Sequence, residues 1–438
     1  MKRVALISLG CAKNLVDSEV MLGCLAGSGY GFVEDPKKAD VIIINTCGFI
    51  RPARDEALAA IRRAVRLKKK KSSLRIVAAG CFVEKDRDEL GRRFPQVDAW
   101  TGVKSFDKIV PIVQGRPFEE SQRTFLYDET SPRILSTPPA WAYLKISEGC
   151  SHRCSFCTIP LIKGTYRSRG IGSIVREARA LAERGVLEIN LISQDSTYFG
   201  RDRGRTKGIA GLLGRLIGVP KIEWIRVLYG YPEEITPPLL DVMKETKICS
   251  YLDIPFQHAD SRLVRAMKRG LDGPGALRLL EKIRAKIPDI AVRTSLIVGF
   301  PGEGKKEFRA LKRFVREAVF DHLGVFTYSP EPGTAAFAMP GAVSEEEKRA
   351  RRDEIMEIQA GISFSRNKHY VGRTIDVLLE GPSKKPRGPW LGRGRFQAPE
   401  VDGLVFVDVP PEQSPFPGIA RVEITKADVY DLHGRMTA

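Results

Sequence analysis

At 438 residues the chain is long enough for two or three cores rather than one. Its 43% hydrophobic and 28% charged content fits a soluble enzyme, and no apolar run reaches the roughly 20 residues of a membrane-spanning helix. A formal charge of +18 favours a polyanionic partner such as RNA or a ribonucleoprotein.

Residues 1–118 alternate strand and helix patterns. The opening MKRVALISLGC reads as a strand without a cleavage signal, which sets the expectation of a cytoplasmic protein. RVALISLG, DVIIINT and RIVAAG are continuous apolar runs, the pattern of strands buried on both faces of a parallel sheet. A helix is predicted over 53–69, and the lysines at 68–71 suit its C-terminal dipole better than a binding site. Each of the three strands ends in a cysteine: Cys11, Cys47 and Cys81. The carboxyl ends of parallel strands share one crevice, so these three converge into a predicted three-cysteine site. Cys24 and Cys249 read as small buried apolar residues.

Residues 119–139, ESQRTFLYDETSPRILSTPPA, lack periodicity and read as a linker. Over 140–367 six strands are predicted at 141–146, 187–193, 224–229, 251–255, 291–298 and 323–328, with helices at 174–182, 276–286 and 305–319 between them. Six βα units in this length suit an incomplete parallel barrel with its chemistry at the C-terminal ends of the strands. The charged helix SEEEKRARRDEIMEIQAGIS leads into 368–438, where TIDVLLEG, WLGRGRF, GLVFVDV and ARVEITKA predict a small antiparallel barrel. Gly392, Arg393, Gly394 and Arg395 give it a basic loop of the kind used on nucleic acid, or else it is a structural appendix. The predicted fold class is therefore α/β: a parallel-sheet unit, an incomplete (βα)6 barrel and a small antiparallel β-barrel.

Just after the first barrel strand, SEGCSHRCSFC packs Cys150, Cys154 and Cys157 into eight residues with no fourth cysteine nearby. In a cytosolic chain such thiols signal metal rather than disulfides. Structural zinc sites close with four ligands, whereas CxxxCxxC can ligate three irons of a four-iron cluster and leave the fourth open to a reactant. His152, between the ligands, reads as a neighbour of the site rather than a ligand.

EGCSHRCSFCTIP resembles the opening of the radical-SAM enzymes, whose fourth iron binds the amino and carboxylate groups of S-adenosylmethionine. With Cys11, Cys47, Cys81 and the final small barrel, the whole chain resembles the methylthiotransferase family. That family has an N-terminal domain with a second 4Fe–4S cluster, a radical-SAM core and a C-terminal TRAM domain. One branch modifies an adenosine in transfer RNA; the other modifies an aspartate in small-subunit ribosomal protein twelve. SLGCAKNLVDSEVMLG, NTCGFI, GCSHRCSFCTIP, YLDIPFQH and GRFQAPEVDGLVFV resemble the ribosomal-protein branch. The pattern departs at Glu84 in GCFVEKDRDEL, where a glutamine is expected, with consequences for the cleft around the N-terminal cluster.

The resemblance implies two 4Fe–4S clusters, one on Cys11, Cys47 and Cys81 and one on Cys150, Cys154 and Cys157. The second would reduce S-adenosylmethionine to a 5′-deoxyadenosyl radical that takes a hydrogen from the aspartate β-carbon. The first would present methylated sulfur to the carbon radical. Gln194 and Asp195 are expected at the methionine amino group, Arg293 at its carboxylate, and Gly299 and Gly302 where backbone approaches the cofactor. Gln257 and His258 lie at a strand end without an assigned role. The implied partners are ribosomal protein twelve, a flavodoxin- or ferredoxin-type reductant, a sulfur donor, and RNA through the TRAM domain. Removal of 368–438 is expected to spare the chemistry and impair recognition. The rival readings are a transfer-RNA adenosine methylthiotransferase and a non-catalytic RNA-binding protein with structural zinc.

Overall fold

The computed structural model describes residues 1–204, 207–384, 388–410 and 417–437. The apolar runs of the N-terminal region form an all-parallel sheet of β1 (Arg3–Ser8), β2 (Gly31–Phe32), β3 (Val41–Thr46), β4 (Arg75–Gly80) and β5 (Ala99–Thr101), in the order β2-β1-β3-β4-β5. Ile42 and Ile44 point to the face covered by α2 (Arg51–Lys70) and α3 (Cys81–Arg93), where they meet Ala57, Ile61 and Val83. Ile43, one residue out of phase, packs on the opposite face against Met21 of α1 (Ala12–Gly27) and Ile109 of α4 (Ile109–Gln114). A strand sandwiched in this way has no polar face, which is why VIII reads as a continuous apolar run. The three strands that carry cysteines, β1, β3 and β4, are adjacent in the sheet.

The 119–139 stretch has no helix or strand, yet it is held firmly. The Arg133 side chain is buried and pairs with Glu19 at 2.6 Å and Glu177 at 2.8 Å, tying α1 to the barrel region.

All six barrel strands form where the patterning puts them. β6 (Trp141–Lys145) runs into β7 (Ser147–Glu148), whose antiparallel partner β8 (Arg167–Ser168) closes off the cysteine loop and its short helix α5 (Ile159–Lys163). Then come α6 (Ile171–Glu183), β9 (Glu188–Ile192), α7 (Gly208–Ile217), β10 (Trp224–Val227), α8 (Pro237–Val242), β11 (Tyr251–Asp253), α9 (Ser261–Ala266), α10 (Gly273–Lys286), β12 (Ala291–Val298), α11 (Lys305–Ala318), β13 (His322–Thr327) and α12 (Glu345–Lys368). The strands pair in parallel as β6-β9-β10 and β11-β12-β13, and a parallel bridge between Ile225 and Ile248 joins the two halves. The helices bury Ile174, Leu212, Leu280 and Leu311 against the outer face of this open barrel.

The C-terminal strands β14 (Thr374–Pro382), β15 (Trp390–Gly394), β16 (Val405–Asp408), β17 (Gly418–Ala427) and β18 (Leu432–Met436) close a barrel in the order β14-β15-β16-β18-β17. β18 escaped the patterning because LHGRM offers only two apolar residues around a glycine. It is fixed by pairing on both sides, parallel to β16 and antiparallel to β17.

Most of the segment 393–402 is turned away from solvent; only Glu400 and Val401 are exposed. It plugs the N-terminal mouth of the large barrel, and all six barrel strands touch it. Tyr143 donates to Glu400 at 2.7 Å, Arg393 donates to Glu188 at 2.5 Å, and Arg226 donates to the Arg395 carbonyl at 2.6 Å. Tyr251 and Arg293 donate to Asp402 at 2.8 and 2.6 Å, and His322 donates to the Phe396 carbonyl at 2.7 Å. Three expectations change as a result. Arg393 is fully buried and Arg395 is bonded to the Thr246 and Ile248 carbonyls, so this loop is an internal fastener and not a nucleic-acid contact. Arg293 stands near the start of β12, and its guanidinium belongs to Asp402, at the mouth opposite the one expected to hold a methionine carboxylate. Finally, a chain cut at 367 would take Arg393 from Glu188, the Arg395 carbonyl from Arg226 and Asp402 from Arg293, leaving only the Glu188–Arg226 pair, so the C-terminal barrel is not separable from the chemistry at no cost.

Candidate active site

Both cysteine groups lie at the C-terminal ends of parallel strands. Cys11 is the N-cap residue of α1, directly after β1; Cys47 follows β3; Cys81 opens α3 after β4. Glycines bring these turns together. At Gly10, with φ of +95°, a Cβ would lie 2.7 Å from the Cys47 Cβ and 3.0 Å from its Sγ. A Cβ on Gly48 would lie 2.6 Å from the Phe82 Cα, next to Cys81. Buried amides fasten α1 to the sheet: Asn45 Nδ2 donates to the Asn14 carbonyl and to Ser18 Oγ, both at 2.9 Å, and Ser18 donates to Ser8 at 2.8 Å. Burial raises the Cys81 thiol to about 12 and raises Cys47, with smaller contributions from the neighbouring cysteines. Metal loading therefore has to displace these protons.

Cys150, Cys154 and Cys157 occupy the loop between β7 and β8. Burial raises Cys150 to about 11 and Cys157 to about 12, with smaller opposing pulls from Arg269. Arg269 Nη1 donates to Cys154 Sγ at 3.7 Å, and its other nitrogen donates to the Pro255 carbonyl at 2.7 Å. The guanidinium lies 3.9 Å from the Tyr231 ring centroid, and Tyr231 in turn stacks on His152 at 3.8 Å with rings 6° apart. His152 Nε2 bonds Asp195 Oδ2 at 2.6 Å. His152 is thus one tier of a stack within the loop, its Nε2 committed to Asp195.

Between the two cysteine groups runs a seam of buried charge. Lys145, fully buried at the end of β6, pairs with Asp17 of α1 and with Glu148 at 2.9 Å. Lys163 lies 3.5 Å from both carboxylates, and Gln194 Nε2 donates to Glu148 at 2.6 Å. Burial alone would raise Glu148, but Lys145 and Lys163 hold it at about 2. Burial pulls Lys163 down, and Glu148, Cys81, Asp17 and Cys11 outweigh it and hold the ammonium well above its ordinary value. At the rim Arg54 and Lys85, from α2 and α3, both pair with Glu331 in the loop after β13. The N-terminal sheet therefore sits over the C-terminal mouth of the barrel, facing Cys150, Cys154 and Cys157.

Gln194 lies at this mouth, and its Oε1 is buried without a hydrogen-bond partner. Asp195 is occupied: one oxygen holds His152 and the other accepts from Thr197 N, Thr197 Oγ1 and Tyr198 N at 2.6–3.1 Å. Gly299 has φ of +72° and packs against α12, where a Cβ would lie 2.2 Å from the Lys348 Cγ. Gly302 lies against Gly341 and Arg262. Glu84 is committed to the segment after β5, accepting from Val103 N at 2.9 Å and pairing with Lys104 at 3.3 Å. Sequence reasoning missed Lys13, Tyr229, Arg269, Tyr231 and the seam. One signal was there: a lysine at the end of the otherwise apolar WAYLKI strand needs a buried partner.

The donor sets fit iron–sulfur clusters. Three thiols in each set, soft donors on glycine-cradled or looped backbone, suit clusters that leave one iron open.

The fold and these sites define a radical-SAM enzyme: residues 144–315 match the Radical SAM superfamily, residues 3–102 the Uncharacterized protein family UPF0004, and residues 371–437 the TRAM domain. The chain is 43% identical to the ribosomal protein uS12 methylthiotransferase RimO of Solibacter usitatus (strain Ellin6076), over 100% of this chain and 95% of that protein. It is 45% identical to the protein of the same name from Syntrophus aciditrophicus (strain SB), over 98% and 97%. This chain belongs to the ribosomal protein uS12 methylthiotransferase family. Among solved structures, its fold is similar to that of the radical S-adenosylmethionine methyltransferase TsrM from Kitasatospora setae, solved with cobalamin and a 4Fe–4S cluster, at a TM-score of 0.54 and 16% identity over 77% of each chain.

Proposed function

We propose that this chain adds a methylthio group to the β-carbon of an aspartate in small-subunit ribosomal protein twelve, using two S-adenosylmethionine molecules and a sulfur donor. The observation that carries this reading is the placing of two three-cysteine sites at the facing C-terminal ends of two parallel sheets, with a sealed, charged seam between them. Cys150, Cys154 and Cys157 would hold one 4Fe–4S cluster, and Cys11, Cys47 and Cys81 the other. When bound, the clusters supply an electron for cleaving S-adenosylmethionine and an open iron for the sulfur that is transferred. The chain contributes position and dryness. The unpaired Gln194 Oε1 is available to the methionine amino group, and Asp195 holds His152 and the Tyr198 turn in place.

The functional units are 1–118 for the sulfur-presenting part, 119–139 as a strap, 140–367 for the radical core and 368–438 for the TRAM barrel. RNA contact through that barrel must use its outer surface, because Arg393 and Arg395 are occupied inside. A flavodoxin- or ferredoxin-type reductant completes the cycle in the cytoplasm; among the described residues no helix is long and apolar enough to cross a membrane. Deleting the gene in its host should remove a methylthio mass from a peptide of ribosomal protein twelve and leave transfer-RNA nucleosides unchanged.

Arg269 should tune the radical-forming site. A donor to a ligating sulfur draws charge from it and favours the reduced state. Arg269→Ala is expected to lower the midpoint potential of that cluster while leaving total iron unchanged, as read by a redox titration followed by electron paramagnetic resonance.

A further inference from the structure

Lys13 is a cation without a carboxylate. It lies in the first turn of α1, two residues after Cys11, half-buried, with Nζ 3.3 Å from the centroid of the Tyr229 ring. Lys145 and Lys163, the other lysines of this region, each meet two carboxylates, Asp17 and Glu148. Lys13 makes no ion pair among the described residues; burial pulls its ammonium down, and Tyr229, with lesser pulls from Cys11 and Asp253, outweighs that cost. Tyr229 is itself held under strain: its φ is 62°, left-handed for a bulky residue, and its N–H donates to Asp253 at 3.1 Å. Tyr229 follows β10 at the C-terminal mouth of the barrel, so Lys13 reaches from the Cys11 turn across to the radical core. A charged side chain and a strained platform are thus kept where the Cys11 turn meets the C-terminal mouth of the barrel.

We propose that Lys13 binds the side-chain carboxylate of the substrate aspartate. This rests on the function proposed above and names the residue that selects for it. The β-carbon is bonded to the carboxylate carbon, so anchoring the carboxylate at Lys13 places the β-carbon between the two sites. A neutral side chain of the same shape leaves the ammonium uncompensated and is rejected.

The test uses the reconstituted full-length enzyme and two peptides of ribosomal protein twelve, one with the target aspartate and one with asparagine in its place. With Lys13→Gln the expected result is unchanged iron and sulfide content, a KM for the aspartate peptide raised at least about tenfold, and loss of the preference for aspartate over asparagine. Lys13→Arg should restore part of that preference, since it restores the charge. Unchanged KM and preference in Lys13→Gln would overturn the proposal, as would lost iron or a shifted cluster potential with the preference intact, which would assign Lys13 to the cluster. A wild-type enzyme inert toward the aspartate peptide would instead overturn the parent reading, and this proposal with it.

Discussion

Replacing Cys150, Cys154 and Cys157 together with alanine is expected to halve the iron of anaerobically purified protein and to abolish S-adenosylmethionine cleavage. Replacing Cys11, Cys47 and Cys81 should also halve the iron but leave cleavage measurable. The asymmetry follows from the architecture. The first set sits in a loop between β7 and β8 of the barrel, the second on three adjacent strands of a separate sheet, and each set is held by its own backbone. Losing one donor set leaves the other intact, because the seam between them is built from Lys145, Lys163, Asp17 and Glu148 and not from cysteine. Iron and acid-labile sulfide analysis, with 5′-deoxyadenosine formation as the second readout, separates the outcomes. Full iron in the N-terminal triple variant would remove that cluster from the account. A colourless protein carrying about two zinc ions would remove both.

The second large effect concerns stability. Glu188→Gln is expected to destabilise the protein by about 3–5 kcal/mol, the usual cost of breaking a buried ion pair. Glu188 is fully buried between Arg226 at 2.9 Å and Arg393 at 2.5 Å. Without its charge, two buried guanidinium groups repel each other, and the plug that closes the lower barrel mouth loses its central anchor. Burial would raise the Glu188 carboxyl, but Arg393 and Arg226 outweigh it and hold it below its ordinary value. A carboxylate depressed in the folded state contributes its full stability above the unfolded value and loses it as pH falls through the acid range. Stability in wild type should therefore fall more steeply towards acid pH than in Glu188→Gln. Thermal unfolding followed at neutral and acid pH checks both statements; a variant as stable as wild type at neutral pH would show that the plug contributes nothing.

The parts legible in sequence were those recorded by local periodicity. DVIIINT announces a two-sided buried strand in any context, and six such strands in series announce the barrel. CxxxCxxC announces its own chemistry, because its ligands lie within eight residues. What escaped depends on partners far along the chain. Arg393 meets Glu188 across 205 residues and Arg293 meets Asp402 across 109, so no local pattern distinguishes an arginine that fastens a plug from one that binds RNA or a carboxylate. Lys13 was invisible for the same reason, since its meaning comes from Tyr229. β18 was missed because pairing on both sides, not composition, makes it a strand.

The most direct measurement is mass spectrometry of ribosomal protein twelve after anaerobic incubation with the reconstituted enzyme, S-adenosylmethionine, sulfide and a reductant. One methylthio increment is expected, localised by fragmentation to the β-carbon of a single aspartate, with transfer RNA in the same mixture unmodified. An unaltered ribosomal protein beside a methylthio-adenosine in the transfer RNA would contradict it.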